Sequence, residues 1–197
     1  MNQLRYKLSF TAASLSISES VNIAEVYLSS RDWDLTKQVI KQNNLLQSRT
    51  NSRTIRVVRE LIQRLELLSD NQLELLVEGN LVEQKYLLWF AVCKTYEYIR
   101  EFAIEVLHEK YLGRRMTLTD IDYDAFFNRK ADWSEDLNQI TTSTRKKIRQ
   151  VMLLMAKEAG LLTEENLILR AMLSNRLVEV LKPDAPISFH IFPIESL

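Results

Sequence analysis

Three glycines and three prolines are all that punctuate this chain of 197 residues, and that scarcity constrains its fold more than any other feature. Sheets and loop-rich folds use glycine where φ must be positive and proline where φ is fixed, so they consume both at turns. A chain this poor in them is expected to be all-α, a compact multi-helix globule with short connections. The apolar periodicity agrees, following the 3.6-residue repeat almost continuously. A first helix is expected from about Ser18 to Leu28, and a short second one after Asp32 or Asp34. Asn43-Asn44 then marks a turn, and a longer helix runs from near Asn51 to Leu68. Its apolar stripe is read as Ile55, Val58, Ile62 and Leu65. Ser69 or Asp70 caps a helix that ends at Gly79.

The middle of the chain is its hydrophobic heart. Leu87, Leu88, Trp89, Phe90 and Val92 are apolar nearly all round, as in a central buried helix. A following helix carries Tyr98, Phe102, Val106 and Tyr111 to Gly113. Thr119 and the acids after it open another, through Phe126 and Phe127. A long helix from about Thr144 to Ala159 stops at Gly160. Residues 161–173 read either as a short wing or as an extended crossover. Ser174 caps a last helix to Lys182, and Pro183 and Pro186 release a tail. The division read from this is 1–80, 81–182 and a tail at 183–197, the first two packing as one globule.

The single cysteine, Cys93, excludes an internal disulfide and sits in an apolar run, where a buried inert thiol is expected. That run is far too short to span a bilayer. The stretch after Arg5 and Lys7 is rich in Ser and Thr, and is expected to dock on the core rather than serve as a leader; a cytoplasmic protein is expected. Catalytic and metal chemistry finds no foothold. Asp120-Ile-Asp-Tyr-Asp resembles the start of a calcium loop, but Ala125 stands where its glycine belongs and Ala131 where its glutamate belongs. His108 and His190 have no ligand partners at metal spacing. No phosphate loop or nucleophile motif can be assembled, so no cofactor, no small-molecule substrate and no enzymatic activity are expected. Tyr86, Tyr96, Tyr98 and Tyr111 are better read as core than as a base-stacking set.

Formal net charge is zero, but the charge is unevenly spread. The third helix and its approach carry Arg49, Arg53, Arg56, Arg59 and Arg64 with Glu60 as the only intervening acid. Asn51, Ser52 and Arg53 stand at its start, where the second helix of a helix–turn–helix offers side chains to base edges. The long helix carries a second cluster, Arg145, Lys146, Lys147 and Arg149, with Lys157 further on. Its core face is read as Ile148, Val151, Met152 and Met155. Basic residues opposite an apolar stripe occur on any solvated helix. Here, though, the acids that usually interleave are collected elsewhere, at Glu66–Glu83 and Asp120–Asp136. Such segregation attracts phosphate even at zero net charge.

Several strings then resemble a known family. Leu8-Ser-Phe-Thr-Ala, Arg31-Asp-Trp, Asn44-Leu-Leu-Gln-Ser-Arg-Thr and Glu74-Leu-Leu-Val-Glu-Gly are similar to the BrxA family of bacteriophage-exclusion (BREX) defence systems. So are Ile99-Arg-Glu-Phe-Ala-Ile-Glu-Val, Asp124-Ala-Phe-Phe-Asn, Thr142-Ser-Thr-Arg-Lys-Lys-Ile-Arg-Gln-Val and Glu158-Ala-Gly-Leu-Leu. The resemblance implies an all-helical, non-catalytic accessory protein with helix–turn–helix elements, associated with DNA and with other BREX components. The expected partner is double-stranded DNA. An RNA-binding antitermination-like factor and a protein–protein adaptor are the alternatives.

Overall fold

The computed structural model describes residues 5–42 and 51–195, and the backbone alone for 51–54. Its described residues form helices throughout, with two isolated antiparallel bridges as the only β-structure. Near the N-terminus a 3-10 turn, Ser9–Ala12, buries Phe10 completely. α1 (Ile17–Ser30) packs on α2 (Trp33–Gln42), which Asp32 opens by accepting from the amides of Asp34 and Leu35. The turn expected at Asn43-Asn44 lies outside the described residues.

α3 (Asn51–Leu65) keeps only part of its expected stripe. Leu61, Ile62 and Leu65 are buried and Val58 half-buried, but Ile55 is 45% exposed. The apolar period continues past the last turn that packs on the core, so Ile55 meets no core among the described residues. α4 (Asp70–Glu78) and α5 (Leu81–Thr95) both start with reciprocal caps, Ser69 with Gln72 and Asn80 with Glu83. α5 is buried all round at Leu87, Trp89 and Ala91, as its composition requires.

α6 (Glu97–Phe102), a π-helical turn (Ala103–His108) and α7 (Glu109–Leu112) make one rod rather than one regular helix. Edge-to-face contacts tie Tyr98 and Phe102 of the rod to Phe126 of α8 (Asp120–Ala131). Tyr86, Tyr96, Tyr98 and Tyr111 are all buried, in keeping with the core reading. The short α9 (Glu135–Asn138) has no periodic signature in sequence. α10 (Thr142–Glu158) begins two residues earlier than expected, because Thr141 is its cap and accepts from the amide of Thr144.

Residues 161–169 resolve into a small hairpin. Leu162 bridges Ile168, and Thr117 bridges Leu167, so the segment 116–118 lines up beside the hairpin's second limb. The amides of Ile168 and Leu118 donate to Met116 and Asn166 carbonyls at 2.7 and 2.9 Å. After α11 (Asn175–Leu181) the chain is not released. It turns through Lys182–Asp184 and α12 (Ile187–His190), then buries Ile191, Phe192 and Ile194. Trp89 Nε1 donates to the Ile191 carbonyl at 3.0 Å and His108 Nδ1 lies 2.7 Å from the Phe192 carbonyl. One hydrophobic cluster extends from Tyr6 to Ile194.

Candidate nucleic-acid interface

α10 is amphipathic, and packing of Ile148, Met152, Met155 and Ala156 into the core decides which side faces out. The exposed side carries Ser143, Lys146, Lys147, Gln150 and Leu154, which recur at three- and four-residue steps. Among the described residues Lys146 and Lys147 make no ion pair. They stand in the first two turns, beside the exposed hydroxyls of Thr142 and Ser143 and the unsatisfied amides of a helix start. Positive side chains, hydroxyls and the positive end of the helix dipole therefore coincide there, a setting that favours a bound anion.

Arg145, Arg149 and Lys157 stand differently. Arg145 Nη2 lies 2.6 Å from Asp124 Oδ1, with its guanidinium 4.1 Å from the centre of the Phe127 ring. Arg149 Nη2 lies 2.8 Å from Asp120 Oδ1. Lys157 Nζ donates to the Glu164 carbonyl at 2.8 Å and lies 3.4 Å from its carboxylate. The segregation of charge along the chain is thus partly undone in space, because α8 brings its acids alongside α10. Asp122 joins this acidic turn but serves as a cap. Burial raises its pKa, yet hydrogen bonds from Lys110 and Thr119 outweigh that and hold it below the ordinary carboxylate range.

The hairpin beside α10 is polarised. Its tip carries Glu164 and Glu165, both exposed. At the other end, antiparallel pairing of 116–118 with 166–168 brings exposed Arg114 and Arg115 towards exposed Arg170. Sequence reading passed over these three arginines, since only the long-range pairing gathers them.

The first basic cluster is described in part. Arg56 and Arg59 are exposed on α3. Asn51, Ser52 and Arg53 form its first turn as backbone, and Arg49 lies outside the described residues. Arg64, counted in the same run of sequence, points the other way and is buried. Cys93 is buried too, and burial pushes its thiol pKa up, so it stays protonated and unreactive. No cluster of three or more metal-ligating side chains occurs among the described residues, nor is any helix there long and apolar enough to cross a membrane.

The family model of BrxA matches residues 4–184. A protein of Bacillus cereus (strain H3081.97) described as BREX protein BrxA is 27% identical over 135 residues, 68% of this chain and 67% of that protein. The crystal structure of an uncharacterized protein from Magnetospirillum magneticum superposes with a TM-score of 0.83. It covers 96% of this chain and 100% of its own at 19% identity, a likeness of fold.

Proposed function

The chain belongs to the BrxA family, and from that premise we propose that it is a non-catalytic component of a BREX anti-phage defence system that binds double-stranded DNA. The observation that carries the reading is the outer face of α10. Lys146 and Lys147 supply unpaired charge there, while Ser143 and Gln150 supply donors and acceptors on the same stripe. The chain order around α10 supports it. A helical rod, the extended segment 116–118, α8, the one-turn α9, α10 and the hairpin 161–169 follow one another, the order of helix, extended segment, helix, helix and wing with α9 set in the connection between α8 and α10. In a winged helix–turn–helix the helix at the place of α10 enters the major groove.

In this reading Lys146 and Lys147 contact phosphates, and Gln150 and Ser143 approach base edges. Arg145 and Arg149 orient α10 on α8, and the carboxylate that each already holds largely cancels its charge. Lys157 is committed to the hairpin. Arg56, exposed on α3, together with Arg49, Asn51, Ser52 and Arg53 as the sequence pattern groups them, is proposed as a second phosphate-contacting set on the same molecule. Binding is largely tolerant of sequence, because cations that meet phosphates carry no base information.

Gel shifts with a duplex and a structured RNA of equal length, each as competitor of the other, test the reading. Preferential loss of the shift to duplex competitor is the expected result. Preference for RNA points instead to an antitermination-like factor. The absence of any shift, with co-purification of an acidic partner that survives nuclease, points to an adaptor.

A further inference from the structure

The N-terminal segment runs between the C-terminal ends of the two basic helices and is bonded to both. Arg64, next to last in α3, donates from Nη1 to the Ser14 carbonyl at 2.6 Å and from Nη2 to the Ala13 carbonyl at 3.0 Å. The following amide, that of Leu15, donates to Oε2 of Glu158, the last residue of α10, at 2.7 Å. Three successive residues are thus gripped from one side by α3 and from the other by α10. The preceding turn, Ser9–Ala12, packs against the same two helices.

The joint is dry. Arg64 is 2% exposed, Leu15 is buried, and the guanidinium sits 5.6 Å from the centre of the buried Tyr96 ring. Desolvation lowers the Arg64 pKa to about 10, against the opposing pull of Glu60 and Glu158. Burying a guanidinium is costly, and a well-packed apolar side chain would avoid that cost. What an apolar side chain lacks is the planar fork that fixes two adjacent carbonyls in direction as well as distance.

We infer that Arg64 is a positioning residue for DNA binding: through Ala13–Leu15 and Glu158 it sets the angle between α3 and α10, so that both basic faces engage one duplex. The inference rests on the DNA-binding reading above. Leverage makes the angle matter. Lys146 lies twelve residues from Glu158, about 18 Å at 1.5 Å per residue, so a 10° swing at the joint moves it by about 3 Å. A displacement of that size breaks a phosphate hydrogen bond.

The test uses the full chain with Arg64→Met and Glu158→Leu, singly and together, on a duplex of about 30 base pairs and one of about 10, near one helical turn. Loss of two-handed binding should weaken the long-duplex Kd by about 10- to 100-fold while the short-duplex Kd moves by about twofold. The double variant should be no weaker than the worse single one, since either breaks the same joint. Arg64→Lys, which keeps the charge but not the planar fork, should recover part of the loss. Spin labels at Arg59→Cys and Lys146→Cys should give a narrow distance distribution that broadens in Arg64→Met. Glu158→Leu opens the joint without stranding a bare carbonyl pair, so the inference stays testable if Arg64→Met does not fold. Equal losses on both duplexes, additive effects or an unchanged distance distribution would overturn the positioning role alone. Failure of the parent protein to bind either duplex would overturn the functional reading, and the positioning role with it.

Discussion

Replacing Glu164 with lysine reverses the charge at the tip of the 161–169 hairpin, where a wing would approach the duplex backbone. Its carboxylate is 86% exposed and lies 3.4 Å from Lys157 Nζ, so the ion pair it forms contributes at most about 1 kcal/mol to stability. Lys157 also keeps its bond to the Glu164 carbonyl, which no side-chain change removes. The fold should therefore tolerate Glu164→Lys. For binding, the tip gains two units of positive charge. With a phosphate about 8 Å away, that is worth about 1 kcal/mol in water, or about fivefold in Kd at very low salt. At 0.1 M ionic strength the Debye length is about 10 Å, and screening reduces the gain to about twofold. Glu164→Gln should give about half the change in free energy. Fluorescence anisotropy of a labelled duplex, read at low and moderate salt, measures both. An unchanged or weaker affinity at low salt would show that the hairpin lies away from the duplex and would refute the reasoning.

Arg145→Ala removes both the pair with Asp124 and the stack on Phe127, so it should lower the melting temperature by several degrees, whereas Lys147→Ala should leave it unmoved. Glu83 is held below the ordinary carboxylate range by its bond from Ser174, with burial opposing and the Asn80 amide assisting. A depressed folded pKa contributes stability that is present above the unfolded value, about 4.3, and is lost as pH falls towards the folded one. Urea midpoints should therefore drop as pH falls below about 4.3, and Glu83→Gln should flatten that drop. Trp89→Phe strands the buried Ile191 carbonyl and should cost about 1–3 kcal/mol by chemical denaturation. Truncation after Lys182 uncovers the seat of Phe192 as well, and should give a protein that binds hydrophobic dyes.

What local chemistry governs was legible in the sequence. Thr119 and Ser174 cap their helices, and Gly160 takes the positive φ of 76° that stops α10. Each of these acts within a turn or two of chain. The readings that changed depend on partners distant in sequence. Arg145 and Arg149 meet carboxylates on α8, more than twenty residues earlier, so the charge map along the chain overstated how much of α10 is free. Arg64 shares its run of sequence with the exposed Arg56 and Arg59, yet it faces the carbonyls of Ala13 and Ser14, fifty residues away. Ile55 continues an apolar period beyond the last turn of α3 that packs on the core. Pro183 follows the end of α11, but Pro186 opens α12 instead of releasing a tail, and a short run such as Ile191-Phe192 has no period to announce that it returns to Trp89. The hairpin stayed open between two readings because its neighbour, 116–118, lies on the far side of α8 and α10 in the chain.

The central claim is that the outer face of α10 carries DNA on Lys146 and Lys147, and the salt dependence of duplex binding tests it most directly. Log affinity of the parent protein should fall linearly with log salt, and each lysine that meets a phosphate contributes about 0.9 to the slope. The double variant Lys146→Ala, Lys147→Ala should bind more weakly on every duplex sequence, with a slope shallower by about two. A slope that the double variant leaves unchanged, or a parent protein that binds no duplex at low salt, would contradict the claim.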